Sequence, residues 1–453
     1  MIALKRGAKV RPLTLGIPDR NLPGKYLLNS KECRDLCQDY LGRIQKGVNI
    51  SNGGESIIHS FSYATEKYPH RNILKTDFQN AFNQVDRVTM LHEIKSKAPF
   101  LYSYCQSMYA AESTLSLYTD ITDAGDVYSI KSSAGSQQGC VHGSLYFAMA
   151  VHPFLTRLDE MLSLKGDGEF IQAFIDDWIS SVDDNSLLEV LTILLNDGPS
   201  IGLHLNRNKT EILIGLKSDS GEAISLRNRL IDPNGDFRLQ SANVILHPDN
   251  DPSAGLENYG LVILGAPVGS MQYKHKFLDE KLQALDGEGR LLQAIDDPQC
   301  QMLLLQYCFS RKFTYLMRTI EPAIMRVHLP RFNSLIDDIL GSIVNLNQSL
   351  MQPANLQCRL RIDQGGLGVG LLDITPSAAY GASFIACFPS LFAMDPTILT
   401  SLRSDCDFNI IQAFRSAIST INFFFFFFFF FRQTDKFNTN LIAQKHSTLK
   451  AID

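Results

Sequence analysis

The sequence of 453 residues contains no Cys-x-x-Cys pair, and none of its nine cysteines stands at a zinc-site spacing from a histidine. An odd number of thinly spread cysteines argues against a disulfide framework and points to a reduced, intracellular setting, nucleus or cytoplasm. Positive charge is not in excess either, since 42 Lys and Arg stand against 47 Asp and Glu, a formal charge of −5. A nucleic-acid partner must therefore be met by a local patch rather than by the field of the whole chain. The N-terminal stretch MIALKRGAKVRPLTLG is basic but lacks the continuous apolar run of a secretory signal. Long apolar runs are scarce as well. The strongest candidate, Ala417 to Phe431, is shorter than the ~20 residues of a spanning helix, so no membrane is expected.

What is present is ordinary globular composition, 45% hydrophobic and 20% charged, at a length that predicts two or three lobes. The first 50 residues hold ten Lys or Arg against four acids, and residues 301 to 331 hold Arg311, Lys312, Arg318, Arg326 and Arg331 against Glu321 alone. These are the expected nucleic-acid patches. Between them, NILKTD, EFIQAFID and TEILIG read as strands alternating with helical stretches such as RVTMLHEI and SLYFAMAVHPFL. From Lys274 to Asn345 the apolar spacing is helical, so a helical lobe is predicted after a sheet-containing one. GGLGVG at 365 to 370 lacks the Lys-Ser/Thr of a phosphate loop and reads as a turn. The nine phenylalanines at 423 to 431 have no periodicity and read as low complexity and an aggregation hazard.

Carboxylates carry the chemistry. In ILKTDFQNAFNQVDR an apolar strand ends at Asp77 and a helix pattern begins near Ala81. On its own Asp77 reads as a turn or capping residue. In EFIQAFIDDWISSVDD, Asp176 and Asp177 interrupt two apolar runs as a hairpin turn would. Ile-Asp-Asp recurs at 295 to 297 and 336 to 338, but inside helical patterns where paired acids read as a solvated face. A strand-end carboxylate and hairpin carboxylates can meet on one sheet, where they repel unless cations neutralise them. Hard oxygen donors without His or Cys favour Mg²⁺, the demand of two-metal phosphoryl transfer, with Mn²⁺ a possible substitute. Lys209 falls in a turn before a strand and equally fits a plain surface lysine.

Taken in order, the segments resemble the reverse transcriptase domain of non-LTR, LINE-like retrotransposons. VRPLTLG is similar to the fingers strand of that family, NGGESIIHS to its finger-to-palm segment, and TDFQNAF, AGSQQG, FIDD, GLHLNRNKT and ILGAPVG to its five palm motifs. LRIDQGGLGVG is similar to what often follows the thumb. The resemblance implies an α+β right-hand polymerase with an antiparallel palm sheet and a helical thumb. It implies partial fingers at 1–60, a palm with inserted fingers elements at 61–270, a thumb at 271–350 and a post-thumb helical region at 351–422, followed by the poly-Phe run and a tail at 432–453. Asp77 and Asp176 would hold two Mg²⁺ ions, with Asp177 as accessory carboxylate and the Phe78 carbonyl completing one shell. Phe82 would pack under the incoming sugar. Gln138 and Gly139 would touch the nucleotide, Lys5 and Arg11 would grip its triphosphate, and Lys209 would protonate pyrophosphate. The implied partners are an RNA template, a DNA primer and deoxynucleoside triphosphates; the oligomeric state is left open.

The sequence departs from that pattern after Gly139, where Cys140, Val141, His142, Gly143 and Ser144 stand in place of a proline-containing loop. Lost prolines predict a looser loop and lower catalytic efficiency. Met1 falls almost on the fingers strand, and no endonuclease, zinc-knuckle or RNase H segment is legible, as in a fragment or decayed copy. Two other readings therefore stand beside the polymerase: a non-catalytic retroelement remnant that at most binds RNA, and a palm-type cyclase or nucleotidyltransferase.

Overall fold

The computed structural model describes every residue except 1, 7–8, 14–17, 119–126, 167, 252, 346–356, 370–374, 405 and 430–453. The strands are β1 (Ile2–Arg6), β2 (Lys9–Leu13), β3 (Asn72–Thr76), β4 (Ser113–Tyr118), β5 (Val127–Ser132), β6 (Phe170–Phe174), β7 (Asp177–Val182), β8 (Glu211–Leu213), β9 (Val244–Ile245), β10 (Gly260–Ile263) and β11 (Ala266–Gly269). The chain divides into two compact units, one of residues 1–57 and 68–251, the other of residues 58–67 and 252–453.

The first unit is built on a five-stranded sheet in the order β6-β7-β3-β8-β9. Its strands pair antiparallel except for the short edge pair β8 and β9, which runs parallel, so the expectation of an antiparallel sheet needs that correction. β3 is central, and Asn72, Ile73, Leu74 and Thr76 are buried, which explains its near-continuous apolar run. Behind the sheet the helix Gly143–Ser163 packs against β6 and buries Tyr146, Phe147, Ala150, Val151 and Leu155. Trp178 on β7 is wholly buried, with Phe78 edge-on at 4.7 Å between ring centroids. N-caps start the helices as the sequence chemistry dictates. Asp86 accepts from Thr89 N at 2.6 Å and Asp183 from Ser186 N at 2.7 Å. β1 with β2 and β4 with β5 are separate hairpins.

The second unit holds the β10–β11 hairpin and the helices Met271–Gln293, Pro298–Tyr307, Pro322–Ile343, Pro376–Met394 and Asn409–Phe429. Phe384 stacks on Phe414 at 4.4 Å, and Tyr63, Tyr380, Phe388 and Ile410 complete that core. Lys274 and Glu321, both buried, pair at 2.5 Å.

Three expectations change here. Asp296 and Asp297 lie between two helices rather than inside one, and Asp297 caps the second through Gln299 N at 2.8 Å. Asp337 is not simply solvated, because it pairs with Arg359, whose side chain is 4% exposed. The basic stretch 301 to 331 is partly neutralised by acids distant in sequence: Lys312 pairs with Glu288, and Arg331 with Asp286 at 2.8 Å. A helix not singled out in the sequence, Pro376–Met394, is the one among the described residues long and apolar enough to cross a membrane by length and composition, and 44% of its 18-residue apolar window is buried in the fold; the 417–431 stretch runs partly outside the described residues. The poly-Phe run continues the helix Asn409–Phe429 as far as residue 429. The described part of the glycine-rich segment, 365–369, turns as read, with Gly365 and Gly368 at φ +80° and +66°; residue 370 lies outside the described residues.

Candidate active site

Strand register brings the acids together. β3 and β7 pair Thr76 with Trp178, so one further step along the ladder sets Asp77 opposite Asp177. The β6–β7 hairpin turns through Ile175 and Asp176, with Phe174 paired to Asp177. Asp77, Asp176 and Asp177 are all half-buried. Burial first, then the charges of Asp176 and Asp77, push the Asp177 carboxyl up to about 6, while Lys75 and Lys209 pull the other way. Asp77 is held from the other side: Asn206 donates its side-chain amide to Oδ2 at 2.6 Å, and Lys209 Nζ lies 3.4 Å from Oδ1. Lys75, the second cation nearby, is paired with Glu211 at 2.5 Å.

The turn after β3 is shaped by Asn80 at φ +51°, a left-handed position that asparagine tolerates, and the short helix Ala81–Gln84 starts there. The segment 204–206 pins this turn by backbone: Gln79 N donates to His204 O and Asn206 N to Asp77 O, each at 2.8 Å. Phe78 is buried, and Phe82, half-buried, stacks on Phe147 at 4.7 Å with the ring planes 16° apart.

The glycine-punctuated loop is tied to the same turn. Ser136 N donates to Phe82 O at 2.6 Å and Gly135 N to Val85 O at 3.0 Å. Gly135 is at φ +71°, and a Cβ there would lie 2.4 Å from Phe82 O, so only glycine fits. Arg87, buried, donates to Gly135 O and Ser132 O, each at 2.9 Å. Gln138 is half-exposed and Gly139 exposed, whereas the neighbouring Gln137 is buried and donates to Ser113 Oγ at 2.8 Å. Hydrogen bonds stand where prolines were missed: Cys140 N to Gln137 O, Gly143 N to Cys140 O, and Ser136 Oγ to Gly143 O at 2.9 Å. These bonds tie the loop backbone together and to the start of the helix Gly143–Ser163. Beneath the loop His142 is fully buried, stacked on Tyr146, and pushed down to about 4 by burial.

The fold thus gathers Asp77, Phe78, Phe82, Asp176, Asp177 and Lys209, with Gln138 and Gly139 on a loop bonded to the same turn. Lys5 and Arg11 lie on β1 and β2, and their side chains are outside the described residues.

A model of the reverse transcriptase (RNA-dependent DNA polymerase) family matches residues 5–252, more than half of the chain. The chain belongs to the reverse transcriptase family. Solved structures similar to it include apo telomerase from Candida tropicalis, 10% identical with a TM-score of 0.39, covering 86% of this chain and 61% of that one. A second is the same telomerase truncated from its C-terminal domain, 15% identical, TM-score 0.35, covering 44% and 41%. A third is telomerase from Candida albicans with the TWJ fragment of telomeric RNA, 11% identical, TM-score 0.34, covering 88% and 54%. The reverse transcriptase chain spans 41% to 61% of the length of these structures. A comparison with curated proteins finds no match.

Sequence patterns did not single out Asn206 or Arg87. Asn206 was visible three residues before Lys209, yet polar turn residues carry no signal of what they bond. A buried Arg87 directly after the capping Asp86 reads from sequence as a surface helix charge. Among the described residues no three His, Cys, Asp or Glu side chains converge into a finished metal-binding group.

Proposed function

We propose that this reverse transcriptase is an RNA-directed DNA polymerase of the non-LTR, LINE-like kind, which extends a DNA primer on an RNA template with deoxynucleoside triphosphates. The observation that supports it most is the juxtaposition of Asp77 with the Asp176–Asp177 hairpin by strand register, in the motif order of that family.

The donor set fits divalent metal. Its ligands are hard oxygens on neighbouring strands, burial and then their mutual repulsion raise Asp177, and the Lys209 ammonium already stands against Asp77 as a positive charge. Asp77 and Asp176 would hold two Mg²⁺ ions, or Mn²⁺ in their place, with Asp177 and the Phe78 carbonyl as accessory donors. Bound there, the ions supply charge neutralisation of the triphosphate and acidify the attacking 3′-hydroxyl. The residues of the chain do the rest. Asn206 orients the Asp77 carboxylate. Lys209, released from Asp77, carries a proton toward the departing pyrophosphate. Gln138 and Gly139 meet the nucleotide, Phe82 lies under its sugar, and Lys5 and Arg11 grip the triphosphate. The basic patches hold nucleic acid through its phosphates.

A second reading, a non-catalytic chain that binds RNA, is favoured by one observation: Asp77 is engaged by Lys209 and Asn206. Mg²⁺-dependent extension of a DNA primer on an RNA template separates the two. The polymerase reading expects extension that EDTA abolishes; RNA binding without extension at any Mg²⁺ or Mn²⁺ concentration favours the second.

A further inference from the structure

Gln45 lies between the segments that carry the family resemblance and is fully buried. Its backbone forms a parallel bridge to Ala173 of β6, secured by Lys46 N to Ala173 O at 2.7 Å and Ala173 N to Ile44 O at 2.9 Å. From there the side chain reaches the catalytic hairpin. Its Oε1 accepts from Ile175 N at 2.6 Å and from Gly47 N at 3.0 Å, and its Nε2 donates to Ile175 O at 3.1 Å. One amide therefore takes both main-chain groups of a single residue, and Trp178 Nε1 adds a second donor to the same carbonyl at 3.1 Å.

Ile175 is where such a clamp is needed. It sits at φ +59°, a left-handed conformation that a β-branched side chain rarely adopts without being held there. The next residue is Asp176. The φ of a turn residue fixes where the following side chain points, so relaxation of Ile175 to negative φ would re-aim Asp176 and shift Asp177 in its register with Asp77. The approach is close: a Cβ on Gly47 would lie 2.6 Å from Ile175 Cγ1. Glycine at 47 lets the clamp segment lie against the turn.

The geometry points to Gln45 as a positioning residue of the polymerase site: its amide holds Ile175 in the left-handed conformation and so sets the aim of Asp176 and Asp177. This rests on the polymerase reading. The test uses the full chain with Gln45→Met, Ile175→Gly and the double variant, because glycine adopts positive φ without strain. Two readouts are taken: Mn²⁺ binding followed by electron paramagnetic resonance, and single-nucleotide primer extension as a function of Mg²⁺. Gln45→Met should weaken Mn²⁺ binding and raise the half-saturating Mg²⁺ at least ~10-fold, whereas the double variant should return both to within about threefold of Ile175→Gly. If Gln45→Met fails to fold while the double variant folds, the clamp on a strained turn is likewise supported. Unchanged metal dependence in Gln45→Met, no rescue by glycine, or loss of folding in both overturns the inference. A parent that binds Mn²⁺ but extends no primer defeats the polymerase reading alone, since Mn²⁺ binding still decides the clamp. A parent that does neither defeats both.

Discussion

Asn206 holds Asp77 twice, by its side-chain amide on Oδ2 at 2.6 Å and by its backbone N–H on the Asp77 carbonyl at 2.8 Å. The carboxylate at the end of β3 is thus oriented by a residue 129 positions later. Asn206→Ala keeps the backbone bond and removes the amide, a hydrogen bond to a charged group worth roughly 1.5–3 kcal/mol. The expected result is a 10- to 100-fold fall in kcat/KM by about that arithmetic, measured by single-nucleotide extension, with melting little changed. Activity within twofold of the parent would remove Asn206 from the site.

Asp177 gives a pH signature. Its folded pKa is about 6 against an ordinary 3.8, so the stability it contributes is full below 3.8 and is lost as pH rises through 6. Above that, the ionised group burdens the fold. Asp177→Asn should therefore raise the melting temperature at pH 7.5 in EDTA. The relief is on the order of 2 kcal/mol once partial solvent exposure is allowed for, or roughly 5 °C in a unit of this size. The gain should shrink at pH 5, and millimolar Mg²⁺ should narrow it by stabilising the parent. A pH-independent difference contradicts the origin given for the shift.

How much of this was legible in the sequence follows from which forces are local. The strand ending at Asp77, the helix at Ala81 and the hairpin at Asp176 declare themselves by alternation and breakers within a few residues. Their meeting required motif order, because no local pattern says that Thr76 pairs with Trp178. What escaped was set by contacts far apart in sequence: Gln45 on Ile175, Asn206 on Asp77, and Glu288 and Asp286 neutralising the basic stretch. Composition in a window cannot see a counter-charge from another helix.

Asp337 and Asp296 separate the two remaining Ile-Asp-Asp sites. Asp337→Asn leaves the nearly buried Arg359 guanidinium with a neutral partner and should destabilise the second unit by ~2 kcal/mol. Asp296→Asn, at an exposed position between helices, should fall within about 0.5 kcal/mol of the parent. Denaturant melts of both variants check this, and equal effects would contradict the environments described.

Phe82 stacks on Phe147, which fixes its ring while leaving it half-exposed. If that face meets the sugar, a 2′-hydroxyl finds neither volume nor a hydrogen-bond partner. Phe82→Ala should raise ribonucleotide use relative to deoxyribonucleotide use at least ~10-fold, about 1.4 kcal/mol of relieved overlap. Incorporation of both sugars on one primer-template gives the ratio. If both fall together with stability, Phe82 is a core residue only.

The most direct measurement compares single-nucleotide addition to a DNA primer on an RNA template by the parent, Asp176→Asn and Asp296→Asn at saturating Mg²⁺. Asp176→Asn keeps the shape of the side chain and removes the charge of the proposed metal ligand, so extension should drop below roughly 1% of the parent, while Asp296→Asn stays within about twofold. Extension by Asp176→Asn at the parental rate, or a loss in Asp296→Asn as deep, would contradict the assignment of the β6–β7 hairpin as the catalytic centre.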